Sequence, residues 1–262
     1  MDIHHEEFGP EIPGVRPLVL LHGALSGIRS SFGDYLPLLA RRRRVIAVEF
    51  QGHCHTPDID RPFTVADFAG DVLGVLDLLG VEAADMFGWS MGAAVALHLG
   101  TEHPERVGRL VLASVSADDS GLYPGLLDGI AQLEPEHLHG SEFHEDYLRT
   151  APDPSGWAGL VRRMKVLDAH LPQWSEERIR GLAAPTMLVL ADSDIIRPEH
   201  SVAMFRWLGG GVPGDLVGLP ESRLAVLPGS THTSMPQRAA WLVPMMDEFL
   251  DADRTAVSPL VA

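Results

Sequence analysis

Six short apolar runs, each separated from the next by residues able to coil into helix, limit what this chain can become more than any other feature. They are PLVLLHG (17–23), RVIAVEF (44–50), ADMFGWS (84–90), GRLVLAS (108–114), TMLVLAD (186–192) and SRLAVLPG (222–229). A half-exposed strand alternates apolar and polar residues, whereas these runs are rich in Val, Leu and Ile with little alternation, as strands covered on both faces are. The segments between them carry the helical period. Residues 64–80 open on Thr64 as an N-cap, set Val65, Phe68, Val72, Leu76 and Leu79 on one face, and stop at Gly80. Residues 90–102 and 236–251 read the same way. Strand then helix, repeated, produces a parallel sheet with crossover connections. The expected class is α/β, with a mostly parallel central sheet and helices on both faces.

The alternation breaks once. From about Ala117 to Gln173 no run reads as a strand, and helical fragments are punctuated by Pro124, Pro135, Pro152, Pro154 and Pro172. A strandless stretch of that length is too long for a loop and implies a helical cap inserted between two strands. The expected organisation is core (1–116), cap insertion (117–175) and core again (176–262). A chain of 262 residues with 45% hydrophobic content can bury one such α/β core. The tail after Arg254 is expected to fray.

With 36 acidic against 20 basic residues the formal charge is −16, a field that repels phosphate backbones and anionic membranes. Neither nucleic acid nor a membrane is an expected partner. The four consecutive cations Arg41, Arg42, Arg43 and Arg44 fall where a helix should end, and cations there complement the helix dipole. No apolar run approaches the roughly 18 residues of a membrane-crossing helix. The N-terminus MDIHHEEFGPE is acidic where a secretory leader would be basic and then apolar, so a cytoplasmic location is expected. Cys54 is the single cysteine, which excludes an intramolecular disulfide and a four-thiolate metal site.

Chemistry enters at Gly88-Trp89-Ser90-Met91-Gly92, a G-x-S-x-G string between an expected strand and an expected helix. The bare string is weak in a glycine-rich chain; its placement gives it weight. A sharp strand-to-helix turn thrusts the serine hydroxyl outward, and its neighbours must be tiny for the chain to fit. Gly88 and Gly92 meet that need. His232, in the loop after the last apolar run, is the best-placed of 13 histidines for a general base, since imidazole titrates near neutral pH.

Taken with LLHGALSG (20–27), EFQGHCHTPD (49–58), GWSMGAAVALHL (88–99), PTMLVLADSDIIRP (185–198) and LPGSTHTS (227–234), the chain resembles the α/β-hydrolase family over nearly its whole length. Within that family it resembles the small bacterial members with a helical cap. The resemblance implies a serine hydrolase with Ser90 as nucleophile, Asp194 as the orienting acid and His232 as base, in the chain order such enzymes use. Asp192 and the pair Asp118/Asp119 compete with Asp194 for the acid. The resemblance also implies an oxyanion hole made by the backbone N–H groups of Ala24 and Met91, with His22 structural. Cys54 and Ala191 stand where the family usually has Gly.

Neither cofactor nor metal is implied. The expected reaction is hydrolysis of a small, neutral, fairly apolar ester or lactone through an acyl-enzyme. C–C bond hydrolysis, perhydrolysis and natural-product tailoring use the same three residues, and a non-catalytic ligand-binding relative is the alternative of a different class. Candidate pocket residues are Leu25 and Trp89 from below, with Leu126, Phe143, Trp157, Leu160 and Met164 from the cap; Leu127 and Trp174 join them. The expected partner is a small-molecule substrate, and the expected state a monomer or homodimer. His53-Cys54-His55 with Asp58 approaches a metallohydrolase string, but the aspartate is one position late. Gly209, Gly211 and Gly214 match G-x-G-x-x-G literally, yet follow a helix rather than a strand.

Overall fold

The computed structural model describes residues 2–252. Its strands are β1 (His5–Phe8), β2 (Leu18–Leu21), β3 (Val45–Val48), β4 (Ala84–Trp89), β5 (Val107–Ala113), β6 (Thr186–Ser193) and β7 (Arg223–Thr231). They form one sheet in the order β1-β3-β2-β4-β5-β6-β7. β1 runs antiparallel to β3, and every other pairing is parallel. All six apolar runs become strands.

The helices are α1 (Ile28–Phe32), α2 (Leu36–Leu39), α3 (Val65–Leu78), α4 (Met91–Glu102), α5 (Leu126–Ala131), α6 (Glu142–Thr150), α7 (Trp157–Asp168), α8 (Glu176–Arg180), α9 (Pro198–Trp207), α10 (Gly214–Val217) and α11 (Ala239–Leu250). Successive strand residues point to opposite faces, so the sheet feeds two cores. Val19, Leu21, Ile46, Val48 and Leu112 pack on one side with the apolar faces of α3 and α4. Leu18, Leu20, Val45, Ala47 and Val111 pack on the other with α1, α2 and α11. Thr64 caps α3 through its hydroxyl, which accepts from the Asp67 N–H at 2.9 Å. Between β5 and β6 the chain runs through α5 to α8 and several 3-10 turns, with no strand.

Three expectations need correction. β1 was absent from them: its sequence, HEEF, is polar because an edge strand with one neighbour leaves its residues partly in solvent. The last helix begins at Ala239, after a 3-10 turn at His232–Arg238 that contains Pro236. The arginine run does more than complement a helix end. Arg43 is 1% exposed, bonds Asp251 at 2.5 Å and lies 3.9 Å from both Asp85 and Asp247. It ties α11 to the start of β4. The expected fraying after Arg254 lies outside the described residues, and no helix among them is long and apolar enough to cross a membrane.

Candidate active site

Ser90 follows β4 and precedes α4, with φ 56° and ψ −119°, a backbone conformation that non-glycine residues rarely adopt. Two close approaches hold it there. A Cβ on Gly92 would collide with the carbonyls of Leu21 and His22, and one on Gly88 would strike the Gly92 carbonyl and lie 2.6 Å from the Ala93 Cα. Only glycines let α4 sit this close to the strands, and the sharp turn between them presents the serine hydroxyl.

The hydroxyl meets the imidazole. Ser90 Oγ donates to His232 Nε2 at 2.9 Å, and His232 Nδ1 donates to Asp194 Oδ1 at 2.8 Å. The three residues, spread along the chain, thus converge beyond the carboxyl ends of β4, β6 and β7. The Asp194 carboxyl also accepts from Ser114 Oγ at 2.5 Å, the Ala191 N–H at 3.1 Å and the Ile195 N–H at 2.8 Å. Burial by itself would raise its pKa, but the hydrogen bonds to His232, Ser114 and Ala191 outweigh burial and hold it below the ordinary value. The competing carboxyls are occupied elsewhere. Asp192 accepts from the Gly229 and Ser230 N–H groups, Asp118 caps a turn at Ser120, and Asp119 binds Gln173.

Ala24 and Met91 line the same cavity as Ser90. Met91 opens α4, where unpaired N–H groups and the helix dipole favour negative charge. Ahead of Ala24, the Gly23 carbonyl accepts from His22 Nδ1 at 2.8 Å and Ser26 Oγ at 2.7 Å. His22 Nε2 accepts from the Phe50 N–H at 3.0 Å, which fixes the tautomer. Burial, then the neighbouring His53, keeps this imidazole neutral, with its pKa well below the ordinary value. The two donors fix the Gly23–Ala24 peptide plane, and a carbonyl held on one side sends the Ala24 N–H to the other.

The cavity has about 670 Å³ of empty space, its mouth included, and combines the sheet edge with the cap. Leu126, Leu127 and Trp174 line it, with Leu122 and Ile130. Leu25, Trp89, Phe143, Trp157, Leu160 and Met164 are not among its lining residues. Trp157, Leu160 and Met164 form the face of α7 that packs into the core. Trp89 is 3% exposed, backs His232 with ring centroids 5.6 Å apart, and lies where a Cβ on Gly23 would fall. Ser114 and Asp168 were not anticipated. Ser114 follows β5 in a left-handed conformation, φ 57°, and steadies Asp194, whereas Asp168 lines the cavity from the last residue of α7.

The glycine departures have local answers. Cys54, φ 44°, keeps the left-handed backbone that glycine would adopt, and its thiol fills the space against Gly27. Ala191 is buried in β6 and needs no such backbone; its N–H reaches Asp194. His4, Glu49 and His55 bring potential ligand atoms within 4.8 Å of one another. The Glu49 carboxylate, however, already accepts from the Ile28 N–H and from the His55 N–H and Nδ1. The His4 and His55 rings stack at 4.4 Å and 27°, so their in-plane lone pairs do not converge well on one ion.

A serine at a strained strand-to-helix turn, bonded through imidazole to a buried carboxylate at the sheet edge, defines a class of hydrolase. The chain belongs to the α/β-hydrolase family: a family profile described as alpha/beta hydrolase fold matches residues 16–150. It is 26% identical to a 2-hydroxymuconate semialdehyde hydrolase of a Pseudomonas species, over 92% of this chain and 89% of that one. It is 27% identical to a pimeloyl-[acyl-carrier protein] methyl ester esterase of Neisseria meningitidis serogroup B, over 90% and 93%. The fold is also that of the enol-lactonase from Burkholderia xenovorans, with a TM-score of 0.70 and 19% identity over 95% and 96% of the two chains.

Proposed function

We propose that this hydrolase cleaves a small carboxylic ester or lactone with a fairly apolar body through an acyl-enzyme on Ser90. The observation that carries the reading is the unbroken chain from Ser90 through His232 to Asp194, both bonds under 3 Å. His232 takes the hydroxyl proton as Ser90 Oγ attacks the carbonyl carbon, and Asp194 steadies the imidazolium. The N–H groups of Ala24 and Met91 receive the oxyanion, each worth about 2.7–4 kcal/mol in the transition state. His232 then protonates the leaving oxygen, and water releases the acyl group by the same route. Residues 117–175 act as the cap over the cavity.

The lining disfavours an anionic substrate. It includes Asp118, Asp119 and Asp168 and neither arginine nor lysine. A carboxylate such as the muconate in the first relative's name would meet like charge and no counter-ion. Leu122, Leu126, Leu127 and Ile130 supply an apolar wall suited to a short acyl or alkyl group. The test is a panel of p-nitrophenyl esters, lactones and vinylogous diketones with wild type, Ser90→Ala and Asp194→Asn. Ester or lactone turnover is expected, with kcat about 10⁶-fold lower in Ser90→Ala and about 10⁴-fold lower in Asp194→Asn. Turnover unchanged in Ser90→Ala removes the mechanism; turnover confined to diketones replaces the ester reading with C–C hydrolysis.

A further inference from the structure

Asp168 is the last residue of α7, the end where the helix dipole is negative and a carboxylate is unfavourable. It is half-buried in the cavity that holds Ser90. Among the described residues its carboxyl has no hydrogen bond and no ion pair, whereas those of Asp118 and Asp119, in the same lining, are engaged by the Ser120 N–H and by Gln173. Burial pushes its pKa up to about 6, and the charge of His232 pulls the other way. Helix position, burial and the lack of a partner all weigh against a carboxyl there in the free protein. A local rule broken without compensation inside a binding cavity points to a group completed by its ligand.

We propose that Asp168 is a specificity residue that binds a protonated amine of the substrate, so that the preferred ester or lactone carries an ammonium group within reach of α7. The proposal rests on the cavity being the substrate site, as argued above, and supplies the polar anchor that the apolar wall lacks. An ammonium is preferred to a neutral donor because the lining holds carboxyls and no cation, in a chain of net charge −16. The amine would keep Asp168 ionised by giving it the counter-ion that the free protein withholds.

The experiment compares kcat/KM for p-nitrophenyl 6-aminohexanoate with that for its neutral isostere, p-nitrophenyl heptanoate, and for p-nitrophenyl 6-hydroxyhexanoate. The wild type should prefer the amino ester, and the amino-to-heptanoate ratio should fall at least tenfold in Asp168→Asn and recover substantially in Asp168→Glu. Thermal unfolding verifies that each variant is folded. An unchanged ratio overturns the proposal, as does a hydroxy ester that loses as much as the amino ester. If wild type turns over neither ester, the ester reading fails separately, and calorimetric titration with hexylammonium chloride decides for Asp168. Binding at least tenfold weaker in Asp168→Asn supports the ammonium site, and equal or absent binding overturns it.

Discussion

Asp194 and Asp168 face the same site under opposite constraints. Asp194 is ringed by donors, and beside His232 itself Ser114 is the side-chain donor among them, removable without altering the main chain. A hydrogen bond to a charged group contributes about 1.5–3 kcal/mol, so Ser114→Ala should lower kcat roughly tenfold or more through a misdirected imidazole. Steady-state kinetics measure this, and an unchanged kcat would mean that the backbone donors suffice. The pH dependence of stability differs in sign between the two carboxyls. Asp194, with its pKa depressed, contributes stability that is present above the unfolded value and lost as pH falls through the lower folded one. Asp168, raised to about 6, does the reverse: its protonated form is favoured by folding, and stability is lost as pH rises from the unfolded value through about 6. Asp168→Asn should therefore raise the melting temperature at pH 8, by on the order of 1 kcal/mol or about 2–4 °C after solvent screening, and have little effect at pH 4. A melting temperature lowered at pH 8 would contradict this sign.

At the scale of elements, the turn between β4 and α4 depends on backbone contact, not on side chains. Gly92→Ala places a Cβ against the Leu21 and His22 carbonyls, so α4 must back away from β2 and carry the Met91 N–H with it. Displacements near 1 Å at a reacting centre cost about 100-fold in rate, and kcat should fall at least that far. Wild-type kinetics in Gly92→Ala would show the turn to be softer than its contacts imply. The same contacts explain what the sequence disclosed. Strands covered on both faces have to be apolar throughout, and the turn has to be flanked by glycines, so the five inner parallel strands and Ser90 were legible; β7, expected to be covered on both faces, lies at the other sheet edge with Val226 exposed, and was legible from its apolar run alone. β1 was not, because HEEF at a sheet edge carries no pattern that a loop would lack. Ser114 meets Asp194 from 80 positions away, and Asp168 reaches the cavity only through the placing of α7, so nothing in their local surroundings marks them. The helical period identifies the buried face of α7 but cannot separate core from cavity, and Trp157, Leu160 and Met164 pack in the core.

Across the whole molecule, stability and chemistry rest on different parts. Arg43 sits buried among Asp85, Asp247 and Asp251, joining the segment that leads into β3, the start of β4 and α11, at the end of the sheet away from Ser90, Asp194 and His232. Breaking a buried ion cluster strands its remaining charges at about 3–5 kcal/mol. Arg43→Met should lower the melting temperature by roughly 10 °C, while the folded fraction keeps its KM; a shift within about 2 °C would mean that Asp85 and Asp247 find solvent. The proposed chemistry depends instead on Ser90 carrying the acyl group. The most direct measurement is intact-protein and peptide mass spectrometry after rapid acid quench of the protein mixed with a p-nitrophenyl ester. The acyl mass should appear on the peptide containing Ser90 within the first turnover and be absent from Ser90→Ala. An acyl group on another residue, or full turnover with no adduct in either protein even at the shortest quench times, would contradict the account.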